Sequence, residues 1–250
     1  MDVVLEQTNT GIFRPTHDEE SRVLVNTSAV LLARDYAELL AEVRQLQQRR
    51  VGTVSIKRQR ALQIGPARLK RVLQDHGLDV CTIGFAGGFT GTVGRTYRQA
   101  VDDTRRALEY AAELKARAVV VVPGAKGLHT YTHAERTIRH GLEDCIDDAL
   151  RLRVDMLLPL NSVLGNGRDI FQPRDQTPLD WVSGFDCHRV KSLMVLRGKS
   201  PWERLPDCWN RCLMTGGALR ISGRTRQTLG RHGIISDLLS RMENAVVPVS

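Results

Sequence analysis

The sequence predicts an α/β fold, a parallel sheet closed into a (β/α)8 barrel. Two observations carry that expectation. Short β-branched apolar runs alternate with longer stretches whose apolar residues recur every three or four positions, and the alternation persists from residue 22 to residue 250. Strands covered on both faces read as unbroken apolar runs, while helices that cover a sheet show one apolar stripe. The second observation is the count. Eight strands and seven helical stretches fit a closed barrel better than an open doubly wound sheet, with the last outer helix missing from the set. No GxGxxG follows the first strand, which also argues against a dinucleotide-binding sheet.

The elements follow in order. Residues 1–21 are polar and aperiodic and are expected to form an N-terminal arm, leaving 22–250 as a single barrel domain. Strands are expected at Arg22–Ser28, Val51–Lys57, Leu78–Ile83, Ala118–Val122, Val154–Leu160, Val190–Leu196, Ala218–Ser222 and Val246–Val249. Between the first two, Leu32, Tyr36, Leu39, Val43 and Leu46 stripe a helix expected over Leu32–Gln48. Pro66 opens the next helix and Gly77 closes it, each at its favoured end. Val101, Thr104, Leu108 and Ala111 stripe a helix within Thr96–Lys115; Ile138, Leu142, Cys145 and Ala149 stripe one within His133–Leu152. Thr177 and Pro178 read as the cap and first turn of a short helix. Trp202, Leu205, Trp209 and Cys212 stripe another, and Ile235, Leu238, Leu239 and Met242 the last.

Composition bounds the function. The chain is 42% hydrophobic, which is ordinary for a folded protein. No run approaches ~18 apolar residues, so no membrane helix and no membrane partner are expected. The opening residues lack the charged head and apolar middle of a secretory signal. Five cysteines without a CxxC pair suit reduced thiols, so a cytoplasmic location is expected. The net charge is +8, but 30 of the 36 basic residues are Arg spread along the chain, which suits solvated side chains better than a nucleic-acid footprint.

Several segments together resemble the xylose isomerase-like TIM-barrel superfamily, the sugar phosphate isomerase/epimerase group, over about residues 22–250. They are Asn26-Thr27 in the opening strand, the Gly77-Leu78-Asp79-Val80 step into strand three and the Gly87-Gly88-Phe89 loop after it. Leu157-Leu158-Pro159-Leu160 is similar to the family's Leu-Glu-Pro-Leu at strand five, and Gly230–Ile235 to the loop before the last helix. The resemblance implies a divalent metal at the barrel mouth, held by Glu on strand five, Asp on strand six, His on strand seven and Glu on strand eight. The metal would polarise a sugar carbonyl and hydroxyl. In this sequence those positions fall on Leu158, Val195, Arg220 and Ser250. Residues 190–196, 217–222 and 245–250 contain no Asp, Glu or His. Asp155 falls at the start of its strand, hence at the end of the barrel away from the mouth. The resemblance therefore supports the scaffold and not its usual chemistry: a pseudoenzyme with a degenerate metal site, or one of altered chemistry, with no cofactor.

Other residues offer a replacement site. Lys57 and Arg58 end strand two, Asn161 follows strand five, and Arg197, Arg220, Arg224 and Arg226 cluster after strands six and seven. Such a cationic mouth suits a sugar-like or anionic small molecule; ion pairs with acidic neighbours are the competing role. A Schiff base on Lys57 needs desolvation that no neighbour signals. His129 and His133 are spaced i, i+4 and are weak metal candidates, with two solvated loop imidazoles as the simpler expectation. Gly87-Gly88 and Gly165-Asn166-Gly167 suit tight turns, Cys208 and Cys212 core thiols, and Asp144, Asp147 and Asp148 a solvated helix face. Two alternatives stand beside the main expectation: an active isomerase or epimerase with a non-standard site that includes the His pair, and a nucleic-acid-binding barrel related to abasic-site endonucleases. The second lacks that group's richer ligand set, so nucleic acid is the weaker partner. Homo-oligomers through loops and outer helices are compatible with the group.

Overall fold

The computed structural model describes residues 24–26, 29–48, 51–160, 171, 173–174, 178–196 and 218–221. The expected arm at 1–21, Asn161, Gly165–Gly167, Arg197, Cys208, Cys212, Arg224, Arg226 and Ser250 lie outside these residues, as do the helices expected around 202–212 and 235–242 and the strand at 246–249.

The described strands are β1 (Leu24–Asn26), β2 (Ala29–Leu31), β3 (Thr53–Lys57), β4 (Asp79–Gly87), β5 (Ala118–Val122), β6 (Asp155–Leu158), β7 (Val190–Leu196) and β8 (Ala218–Ile221). They form one sheet in the order β1-β8-β7-β6-β5-β4-β3-β2, with every pairing parallel. Of the first expected strand, Arg22–Ser28, β1 covers residues 24–26; β2 lies just past its expected end, and the two short strands serve opposite edges. That detail dictates the shape. Seven strand spacings of ~4.8 Å would hold the edges of a flat sheet roughly 34 Å apart. Asn26 and Ala29 are three positions apart in the chain, and three residues span at most about 11 Å. The sheet must therefore curl round until its edges approach, which is a barrel wall.

The helices are α1 (Tyr36–Gln48), α2 (Arg58–Ile64), α3 (Pro66–Asp75), α4 (Tyr97–Glu113), α5 (Tyr131–Leu152) and α6 (Pro178–Ser183). Sequence periodicity misses α2, because seven residues with only Ala61 and Ile64 buried are too few to show a stripe. Thr96 caps α4 with a reciprocal box: its side chain accepts from the Gln99 amide while the Gln99 side chain accepts from the Thr96 amide. Thr130 accepts from the His133 amide, so α5 starts at Tyr131, two residues before the expected start.

Burial separates two apolar layers. Val119, Val121, Met156, Leu158 and Val190 join the helix residues Leu108, Ile138 and Leu142 in the main core. Ala118, Val120, Leu157 and Leu193 form a separate buried cluster. Alternate residues of β5 and β6 thus face opposite sides, as a pleated strand requires, and the second cluster is the barrel interior. Ser55 and Thr82 add a buried hydroxyl pair at 2.8 Å. Among the described residues, no helix is long and apolar enough to cross a membrane.

Candidate functional site

In barrels of alternating strands and helices, ligands meet the carboxyl ends of the strands. Lys57 is the last residue of β3, is exposed, and pairs in register with Gly84 of β4. Next to Gly84, β4 carries an extra residue: Gly84 pairs with Val120 and Ala86 with Val121, leaving Phe85 in the bulge. Phe85 is 43% exposed, whereas most of the strand is buried. The β3–β4 boundary therefore carries an exposed Lys57 in register with the residue that precedes the exposed Phe85.

Arg58 follows Lys57 but is committed elsewhere. Its guanidinium donates to the Asp103 carboxylate at 2.6 Å and to the Asp103 carbonyl at 2.8 Å. Arg95 donates to the other carboxylate oxygen at 2.6 Å. The Arg58 and Asp103 side chains are each 12% exposed, so this is a nearly buried, two-to-one cluster. Of the two roles expected for Arg58, the structure displays the ion pair. Sequence reasoning passed over Asp103; the available signal was a carboxylate lying between the apolar stripe residues Val101 and Thr104.

The loops after β4 and β5 are laced together. Gly88 and Phe89 amides donate to the Val122 and Pro123 carbonyls, which prolongs the strand pairing past the sheet. Gly124 has φ +106, and a Cβ there would collide with the Thr90 hydroxyl. His129 Nε2 lies 3.0 Å from the Thr90 carbonyl. A carbonyl only accepts, so Nε2 carries the hydrogen and Nδ1 of the neutral ring keeps its lone pair. The His133 ring sits with its centroid 4.9 Å from that of His129. The two expected His candidates are thus brought together, one half-buried and tethered, the other exposed.

On β6 the expected Glu position, Leu158, is fully buried in the outer core, while its neighbour Leu157 faces the interior. Neither offers a donor. Asp155 lies at the amino end of the strand and accepts from Arg189 and Lys191, each at 2.9 Å. Val195 and Arg220 pair in register between β7 and β8, and Arg220 also pairs with Asn26 of β1. Among the described residues, no three His, Cys, Asp or Glu converge as a metal cluster.

A chain of rings, most of them buried in the main core, packs at the start of α5. Tyr131 stacks on Phe171, which meets Trp181, which meets Phe185, at centroid distances of 5.2, 5.9 and 5.2 Å. Arg139 lies over both Trp181 and Phe185, and Arg174 over Tyr131. Trp181 donates its indole hydrogen to Glu135 at 2.6 Å. This ties α6 and Phe171 to the start of α5. Its α5 members lie some forty positions before the others in sequence, which hides the cluster from periodicity. The acidic face of α5 is also less free than expected. Asp144 accepts from the Tyr97 hydroxyl, and Asp148 pairs with Arg105 and Arg151. On the opposite side of α5, burial pushes the Cys145 thiol up to about 12.

Residues 35–158 match the family model of the xylose isomerase-like TIM barrel. Solved structures extend the likeness. 3-Keto-D-glucoside 4-epimerase from E. coli superposes with TM-score 0.58 at 14% identity, over 81% of this chain and 92% of that one. D-psicose 3-epimerase from Clostridium cellulolyticum H10 gives 0.58 at 11%, over 78% and 83%. AP endonuclease, family 2, from Brucella melitensis gives 0.56 at 17%, over 80% and 95%. No curated protein matches the sequence.

Proposed function

Because this chain belongs to the xylose isomerase-like TIM-barrel superfamily, we propose that it is a sugar isomerase/epimerase-like barrel which has exchanged the divalent-metal site for a cationic, aromatic one. It binds a sugar-like small molecule carrying a carboxylate or phosphate. The observation that carries this is the β3–β4 boundary, where Lys57 pairs in register with Gly84 beside the exposed ring of Phe85. An aromatic face packs on the C–H face of a pyranose or furanose, and an ammonium pairs with an anionic substituent.

The chemistry of the family's donor positions does not fit the family's ion. Leu158 and Val195 have no donor atoms, and an Arg at 220 repels a divalent cation. Asp155, the nearest carboxylate to the strand-five position, is spent on Arg189 and Lys191 at the opposite end of the strand. No proton transfer through a metal is therefore assigned. A cytoplasmic location follows from the cysteine usage and stays part of the same proposal.

Calorimetric titration tests it, using a hexuronate and a pentose phosphate against a neutral ketohexose. The anionic sugars bind at least tenfold more tightly, and Lys57→Ala removes that preference. Equal binding of neutral and anionic sugars, or none of any, contradicts it. A second reading, an active isomerase or epimerase with a different ligand set, draws on the juxtaposed imidazoles. Turnover of a free ketose that His133→Ala abolishes would favour it.

A further inference from the structure

The His129–His133 pair lies in the loop after β5 and the first turn of α5, at none of the sequence positions to which the resemblance assigns the family's metal ligands. We infer that these two imidazoles form a half-site for a borderline divalent transition metal, Zn²⁺ being the natural probe, completed by water. Three observations carry the inference.

The first is spacing. Two imidazoles on one Zn²⁺ at ~2.0–2.1 Å place their ring centroids about 3.2 Å from the ion, hence roughly 4.5 Å apart at a 90° ligand angle and roughly 5.2 Å apart at the tetrahedral angle. The centroids lie 4.9 Å apart, between those limits, before any ion is present.

The second is the tautomer. Metal-bound imidazoles characteristically donate their other ring N–H to a carbonyl or carboxylate, which fixes the ring and raises its basicity. His129 Nε2 makes that bond to the Thr90 carbonyl at 3.0 Å, leaving Nδ1 as the ligating atom. The loop geometry holds this acceptor in place: Thr90 and Thr92 hydroxyls meet at 3.1 Å, and the Ala125 amide donates to Thr92.

The third is access. His133 is exposed and its backbone is fixed by the Thr130 cap. Water can therefore fill the remaining coordination positions, and the side chain moves at little cost. The charged group of the same loop, Lys126, turns its ammonium to the His129 carbonyl at 2.9 Å and offsets part of the attraction. Two neutral nitrogen donors with no carboxylate select a borderline ion over Mg²⁺, which requires oxygen ligands and keeps its water.

The experiment is Zn²⁺ titration of the full chain at pH 7.5, followed by calorimetry and by the ring proton shifts of the histidines. One equivalent is expected to bind with a shift of the His129 and His133 signals, and tenfold molar excess of Mg²⁺ leaves the isotherm unchanged. His133→Ala, at an exposed position, weakens the binding at least tenfold without altering the thermal midpoint. His129→Ala weakens it likewise, and serves as the second variant. The inference is overturned if both variants bind Zn²⁺ as the parent does, if the shifts fall on other histidines, or if Mg²⁺ competes at equal concentration.

Discussion

Asp103 holds Arg58 by two contacts at once, its carboxylate accepting from one guanidinium nitrogen at 2.6 Å and its backbone carbonyl from another at 2.8 Å. The start of α2 is thereby locked to α4, and Lys57, exposed at the end of β3, is not part of that cluster. Removing one partner from a nearly buried pair strands the other charge, which costs about 3 kcal/mol or more. Asp103→Ala is accordingly expected to lower the unfolding free energy, read by urea denaturation, by that order. The double variant Arg58→Leu/Asp103→Leu loses less than Asp103→Ala alone. An additive or larger loss in the double variant would show that the pair does not carry this coupling.

Gly141 lies in the middle of α5, where alanine would ordinarily add about 1 kcal/mol of helix propensity. A Cβ there would instead collide with the ring of Phe89, which is 1% exposed in the loop after β4. Overpacking costs about 1–3 kcal/mol. Gly141→Ala should therefore destabilise the fold, and Phe89→Leu in the same chain should recover most of the loss. A gain in stability on Gly141→Ala would rule out this close approach.

Stability should also fall in alkali. The Cys145 thiol, raised by burial from 9.0 to about 12, and the Tyr110 phenol, raised by burial from 10.0 to about 12, stay protonated in the native state after the unfolded chain has released them. The native state then binds more protons than the unfolded state, so stability is intact below pH 9 and declines as pH rises towards 12. Each such group contributes a slope of at most about 1.4 kcal/mol per pH unit. Chemical denaturation between pH 8 and 11 reads the slope, and Cys145→Ala should flatten it from pH 9 upward. A slope unchanged by that variant contradicts the assignment.

Much of this architecture is legible in the sequence, for identifiable reasons. β5 and β7 occupy the expected residues because AVVVV is an unbroken apolar run and VKSLMVL is apolar at all but Lys191 and Ser192. The Pro66 start and the Gly77 stop of α3 are local signals that tertiary context leaves alone. β2 lies just past the expected opening strand and bonds the edge opposite to the one β1 bonds, and no local signal encodes that. The site was legible only in part. Lys57 and the His pair could be placed by counting from strand ends. The commitment of Arg58 depends on Asp103, forty-five positions away. Leu157, rather than Leu158, faces the interior because the phase of the pleat, not the motif, decides which residue points inward.

The Asp155 cluster separates stability from binding. Asp155 joins Arg189 and Lys191 at the amino end of β6, whereas Lys57 lies at the carboxyl end of β3 in the same parallel sheet. Asp155→Asn is expected to lower the thermal midpoint by several degrees while leaving affinity for an anionic sugar within twofold. A large loss of affinity in a variant that remains folded would place the ligand at the wrong end of the barrel.

The most direct test of the account is the affinity for a pentose phosphate measured twice, in excess chelator and with added Mn²⁺. The account predicts the same dissociation constant in both, weakened at least tenfold by Lys57→Ala. Binding or turnover that disappears in chelator and returns with Mn²⁺ would contradict it.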